Sequence, residues 1–268
     1  MKLKIVDSNS QEKGQIEMPE QFSQPVRYDL IQRAVLAVQT VGRQSYGAMP
    51  EAGERAVAKL SRRRRDYKGS YGKGISRVPR KTMARSGSQF TWEGAFAPGT
   101  RKGRRAHPPK AGKILIEKIN KKEKRKAIRS AISATILLNI VAARGHKVPK
   151  SYPFILDTSA EEIVTTKQAL DMLNKLDLGA ELSRCADRKI RAGRGKMRNR
   201  KYISKVGPLI VVSKPCKLQK ACANIRGVDV QNVASINAEF LAPGTKPGRL
   251  TLWTADAVKL MKEKKLFM

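Results

Sequence analysis

Acidic side chains are scarce in this chain: 22 Asp and Glu stand against 56 Lys and Arg, a formal net charge of +34 over 268 residues. That excess lies far beyond what solubility requires and has the sign that nucleic acid attracts. Cysteine is nearly absent too. The three present, Cys185, Cys216 and Cys222, are an odd number in a chain of this length, which argues against a disulfide framework and fits a reducing compartment. Histidine occurs twice, at His107 and His146, so general acid–base catalysis has few candidates. No apolar run reaches the roughly 18 to 20 residues of a spanning helix. The first residues, Met1-Lys2-Leu3-Lys4-Ile5-Val6-Asp7, lack the apolar stretch of a signal peptide. A soluble, cytoplasmic protein without membrane contact is the expectation.

What is present is hydrophobic content of 40%, enough for one sizeable core, and a very uneven placement of charge. Residues 42–113 hold 19 basic and 4 acidic side chains, a net +15, and 11 of the 20 glycines. A second run, Arg184 to Lys205, holds ten basic residues and one acid, Asp187, for a net +9. The other 174 residues carry only +10, ordinary for a folded domain. The chain therefore divides into one globular body, residues 1–41 and 114–268, and a long basic extended loop, 42–113, inserted in it. A loop of this length is usually functional. Free in water its charges repel one another, and it cannot offset an ordering cost of about 1 kcal/mol or more per residue, so it is expected to take its structure from a polyanion.

Along the body, Lys2 to Val6 alternates, turn residues follow from Ser8 to Gly14, and Gln15 to Met18 alternates again, which predicts a hairpin. Helical spacing recurs over Pro25 to Val41, from Lys113 to a stop at Gly145-His146, and over Ala160 to Leu176 with Ile163 and Val164 on its apolar face. Strands are expected at Pro153–Asp157, Gly207–Ser213, Val228–Val233 and Leu250–Trp253, with helices near Leu218–Ala223, at Asn237–Leu241 and at Ala255–Lys264, the last capped by Thr254. This alternation predicts an α/β fold with a mostly parallel open sheet and helices on both faces.

Catalytic and cofactor motifs are incomplete. Gly72-Lys73-Gly74 and Gly193-Arg194-Gly195-Lys196 form neither a P-loop nor a dinucleotide fingerprint; they permit close backbone approach to phosphate, or are simply flexible charged loops. Cys216 and Cys222 lack the close pairing of a zinc site, and no metal or other cofactor is expected. His107 is placed in contact with RNA or solvent, and His146 in a capping or packing role. Tyr67, Tyr71, Phe90, Trp92 and Phe96 are interleaved with the basic residues of the loop. Base stacking gives such rings a use; for Trp92 and Phe96 a small hydrophobic tuck that anchors the loop on its own domain is the equal alternative. Candidate RNA-binding cations are Arg43, Arg62, Arg63, Arg64, Arg65, Lys68, Lys73, Arg77, Arg80, Lys81, Arg85, Arg101, Lys102, Arg104 and Arg105 in the loop. In the second run they are Arg188, Lys189, Arg191, Arg194, Lys196, Arg198, Arg200 and Lys201.

Several motifs carry a resemblance. Gly72-Lys73-Gly74-Ile75-Ser76-Arg77-Val78-Pro79-Arg80, Phe96-Ala97-Pro98 and Arg104-Arg105-Ala106-His107-Pro108-Pro109 resemble the extended loop of the large-subunit ribosomal protein L-four family, in its archaeal and eukaryotic form. Arg129 to Ala134, Arg191 to Arg200, Gly207-Pro208, Asn224 to Gly227 and Leu241 to Gly244 resemble successive family segments in order. The chain stops soon after Lys262-Glu263-Lys264-Lys265, without the basic extension of eukaryotic members, so the archaeal type fits. Lys81 to Gly87 stands where a glycine run is often found, which leaves the loop tip unassigned.

The resemblance implies a structural, non-enzymatic constituent of the large subunit, binding rRNA early in assembly, with a loop that lines the peptide exit tunnel. Tunnel-lining candidates are Arg77, Arg80, Lys81, Met83 and Arg85. The partners implied are large-subunit ribosomal RNA, neighbouring ribosomal proteins and the nascent polypeptide; no homo-oligomer is expected. Two rival readings are a free RNA chaperone using the same patches, and a nucleotide-dependent enzyme built on the parallel sheet.

Overall fold

Leu3 and Ile5 turn to one face of the first strand, β1 (Lys2–Val6), and Val6 to the other, while Lys2 and Lys4 stay in solvent. The computed structural model describes all 268 residues. It falls into two compact units, one made of Met1–Gly42 with Ile116–Met268, the other of Arg43–Leu115.

In the first unit, the body, β1 pairs antiparallel with β2 (Glu12–Glu17) across the expected hairpin. Helix α1 (Tyr28–Val41) buries Ile31, Ala34, Val35 and Ala37 on one stripe. It has no side-chain cap of its own, and Ser130 serves instead: its hydroxyl donates to Pro25 O (2.9 Å) and accepts from Arg27 N (2.6 Å), fixing where the helix begins. The second unit contributes β3 (Arg80–Ser86) and β4 (Gln89–Gly94). The body resumes with α2 (Lys121–Ile136), α3 (Leu138–Ala143), β5 (Ile155–Leu156), α4 (Thr166–Lys175), α5 (Gly179–Ala186), β6 (Lys189–Ile190) and β7 (Tyr202–Ile203). It ends with β8 (Leu209–Val212), α6 (Leu218–Cys222), β9 (Asp229–Asn232), α7 (Ala238–Leu241), β10 (Thr251–Thr254) and α8 (Ala255–Glu263).

Six strands form the sheet in the order β2-β1-β5-β10-β8-β9, parallel except for the β1–β2 edge. Register places Ile155, Trp253 and Val211 in one row, facing α1, α2, α7 and α8; Leu156, Leu252, Ile210 and Val212 face the other way, onto α4 and α6. Both faces are buried, so the central strands are apolar throughout. At the amino end of β8, a side chain on Gly207 would lie 2.7 Å from Cys185 Sγ and 2.8 Å from Gly227 O, so only glycine fits. The buried Arg249 donates to Gly207 O (2.9 Å) and Phe240 O (3.0 Å) and pairs with Asp229, tying the starts of three strands together. No helix is long and apolar enough to cross a membrane.

Two helix expectations need correction. The helix expected from Lys113 to Gly145 begins only at Lys121 and breaks at Leu137, which is extended at φ −78°, ψ 102°. The Tyr152 hydroxyl donates to Thr135 O, the carbonyl that a continuous helix would offer to Asn139. The helix expected over Ala160–Leu176 is likewise split. Thr158–Glu162 is a 3₁₀ turn, Ile163 is extended, and Val164 is exposed. Thr165 then opens α4 with a reciprocal capping box, its hydroxyl accepting from Gln168 N, a new start that overrides the continuous apolar spacing. Helix α5 and the β6–β7 pair had no expectation attached. Thr254 caps α8 as expected, accepting from Ala257 N at 3.3 Å.

Candidate nucleic-acid interface

Sequence periodicity predicts no strand between Arg43 and Leu115, yet β3 and β4 pair antiparallel there, from Arg80 opposite Gly94 to Ser86 opposite Gln89. The turn is Gly87-Ser88, with Gly87 at φ +55°, where an L side chain is strained. A bulge between Thr82 and Ala84 leaves Met83 unpaired and 68% exposed. Phe90 and Trp92, two apart on β4, stack with ring centroids 5.3 Å apart and planes at 20°, and Tyr67 meets Phe90 edge-on at 5.3 Å. Trp92 thus packs within its own segment.

Cations lie over these rings. Lys73 Nζ sits 5.6 Å from the Phe90 centroid and 5.1 Å from Trp92, Arg80 lies 5.8 Å from Trp92, and Arg85 lies 5.2 Å from Tyr67. Arg64 and Arg77 both meet the Tyr71 ring, at 5.2 and 4.8 Å. Each such contact contributes about 0.5–1 kcal/mol at an exposed site and leaves the positive charge unneutralised. Of the candidate loop cations, Arg80 and Lys81 are half-buried and the rest exposed. Only Lys81 reaches a carboxylate, Glu93 at 3.5 Å. Phe96 is half-buried, and His107 is exposed on this unit.

On the body, the second basic run folds as β6, a 3₁₀ turn over Arg194–Arg198, and β7. Arg191 N donates to Lys201 O (2.8 Å) and its Nε to Arg200 O (2.9 Å), closing the turn from inside. Arg188, Lys189, Arg194, Lys196, Arg198, Arg200 and Lys201 are exposed, Arg191 is half-buried, and none of the eight pairs with a carboxylate. Arg188 and Lys201 lie 5.4 and 5.5 Å from the Tyr202 ring, a ring not singled out from sequence although it sits between Lys201 and Lys205.

The ends of that run do not belong to the exposed patch. Lys205 pairs with Asp187 at 3.1 Å. Arg184 is held by Glu181, a fully buried carboxylate that also meets His146 Nδ1 at 2.6 Å and accepts from Lys147 N at 2.9 Å. Burial by itself would raise the Glu181 pKa; hydrogen bonds from Arg184, His146 and Lys147 N outweigh it and hold the group down to about 2. His146 thus packs and orients, as expected for it.

The carboxyl ends of the strands, where open α/β sheets bind ligands, carry the opposite charge. Glu161 is buried there, accepting from Ser213 N (2.8 Å), Ser213 Oγ (2.7 Å) and Thr254 Oγ1 (2.6 Å), so it bridges the ends of β8 and β10. The grooves beside it, of about 360 and 380 Å³, are lined by Glu162 and Asp171 with Lys175, and by Glu161, Glu162, Asp256 and Glu263 with Lys214 and Lys259, so acids outnumber cations in each. That net acidic lining does not favour a nucleotide phosphate. Cys185 and Cys222 are buried, and burial pushes the Cys222 thiol up to about 11, away from nucleophilic use.

Comparison with known proteins gives concordant matches. A family model described as "Ribosomal protein L4/L1 family" matches residues 16–264. The large ribosomal subunit protein uL4 of Nanoarchaeum equitans is 47% identical over 268 residues, covering 100% of both chains. Those of Methanococcus maripaludis and Methanococcoides burtonii are each 43% identical, the first covering 97% of this chain and 98% of its own, the second 96% of each.

Proposed function

The chain belongs to the ribosomal protein L4/L1 family, a structural, non-enzymatic constituent of the large ribosomal subunit, and on that premise we propose that it binds ribosomal RNA through two separate basic surfaces. The observation that carries this reading is the set of exposed, carboxylate-free cations on the β3–β4 unit and on the β6–β7 turn. Each cation that meets a phosphate releases condensed counterions, and neutralisation of this kind lets separate rRNA segments pack together. The stretch from Arg77 to Arg85, with Met83 exposed at its bulge, supplies the surface that lines the exit tunnel and faces the nascent chain. The body is held against another rRNA segment by Arg188 to Lys201, and neighbouring ribosomal proteins complete its surroundings. Binding early in subunit assembly, which the family resemblance implies, is part of the same reading.

Catalysis has no support in the geometry: Glu161 at the strand ends is held in hydrogen bonds to Ser213 and Thr254, and the thiols are buried or half-buried. Co-sedimentation separates a ribosomal constituent from a free RNA chaperone. The protein is expected to stay with the large subunit through a high-salt wash; release into the supernatant with nonspecific binders would sink the reading.

A further inference from the structure

A groove of about 490 Å³ opens on the body between α1, α3 and the residues leading into β10. Its walls include Tyr28, Gln32, Asn139, Ile140, Arg144 and Lys246. Gly248 lets the chain carrying Lys246 lie against α3: at φ +86°, a Cβ there would come 2.7 Å from Ile140 Cγ2. Tyr28 is 57% exposed although it is a large aromatic at the first turn of a helix. Arg144 Nη2 donates to Pro243 O at 2.6 Å, while its Nη1 is buried with no hydrogen-bond partner. A buried unpaired donor is costly. Burial first, then the charges of Arg249 and Arg184, push Arg144 down to about 10, and the guanidinium stays charged at neutral pH. No acid lines it, and nearby Asp29 is already taken by Arg27 at 2.6 Å.

We propose that this groove holds a single unstacked RNA nucleotide, its base against Tyr28 and Ile140 and its phosphate at Arg144 and Lys246. The inference rests on the RNA-binding reading above and adds a third, nucleotide-sized contact to it. An exposed ring beside an aliphatic side chain offers a face for stacking. The two carboxamides, Gln32 and Asn139, each supply a donor and an acceptor, the complement of a base edge. A phosphate in the groove meets two cations on its wall, Arg144 and the exposed Lys246. The volume falls within the range of small-ligand sites, about 300–1,000 Å³. An acidic peptide would use the cations and pair its backbone with the carboxamides; a protein–protein crosslink from Tyr28 would reveal it.

Two measurements on the full chain decide it. Ultraviolet crosslinking of the protein within large subunits, mapped by mass spectrometry, is expected to give a nucleotide adduct on the peptide containing Tyr28. In binding to the free rRNA, Tyr28→Leu is expected to weaken affinity by about tenfold with the salt dependence unchanged, as loss of stacking requires. Lys246→Gln is expected to lower the log-log salt slope by about 0.7. Tyr28 is more than half exposed, so the leucine variant should keep the wild-type thermal midpoint. Adducts at Arg62–Arg65 and Arg194–Arg200 with none at the groove, or a protein–protein crosslink from Tyr28, overturn this inference and leave the two basic surfaces standing. Absence of RNA adducts anywhere on the chain overturns both.

Discussion

Arg184 donates to both oxygens of Glu181, through Nη2 at 2.6 Å and Nε at 2.8 Å. The first cation of the second basic run is therefore committed to the interior, with a third bond to Val206 O at 2.7 Å. What looks in sequence like the start of an RNA-binding patch is the partner that makes a buried carboxylate tolerable.

The pair sets a stability prediction with a defined pH sign. Glu181 falls from the usual 4.5 to about 2 on folding, so its contribution is complete above pH 4.5 and is lost as the pH drops from there toward 2. A shift of that size corresponds to roughly 3 kcal/mol. Glu181→Gln should cost about 2–4 kcal/mol in urea unfolding at pH 7, and the gap to the wild type should shrink below pH 4.5. A gap independent of pH would show that Glu181 is not charged in the fold.

Stacking of Phe90 on Trp92 makes a second expectation measurable. In the RNA-free protein, amides of the β3–β4 hairpin should exchange more slowly than unstructured ones. Trp92→Ala, which removes an aromatic pair worth about 0.5–1.5 kcal/mol, should abolish most of that protection. Unprotected hairpin amides in the wild type would mean that RNA supplies even this local structure.

Both hydrophobic cores are built from body residues alone. Deleting Ala52 to Arg101 should therefore leave a cooperatively unfolding protein with its helical circular dichroism retained. Loss of the cooperative transition would assign the segment a place in the fold that the cores do not give it.

Substituting Arg77, Arg80, Lys81 and Arg85 together with glutamine should flatten the salt dependence of RNA binding. The expected change is about 0.7 to 0.9 in log-log slope for each phosphate left without its cation. Lys81 is already paired with Glu93, so it should contribute least; an unchanged slope would exclude all four from phosphate binding.

How much was legible from the chain depended on the range of the interaction concerned. Apolar runs such as Leu209–Val212 declare a strand buried on both faces, and Thr254 announces the helix after it, because both signals are local. Thr165 and Gln168 also carried a local signal, the capping-box spacing, masked by the apolar spacing that runs through Ile163 and Val164. The stop at Leu137 had none, since the hydroxyl that takes Thr135 O belongs to Tyr152, 17 residues on.

The sequence by itself determined the class of partner and the alternation of strands and helices. Net charge, its concentration in two stretches, and apolar periodicity are properties of composition and near neighbours, and they survive any folding. Tertiary structure alone decided which cations remain free. Distant partners, His146 and Val206, joined the local Glu181 in turning Arg184 inward, and the β3–β4 hairpin set Lys73 and Arg80 over Trp92. Chain segments far apart in sequence enclosed the groove between Tyr28, Arg144 and Lys246. The physical reason is that a side chain's charge is fixed by its identity, whereas its exposure and its partners are fixed by what the fold brings against it.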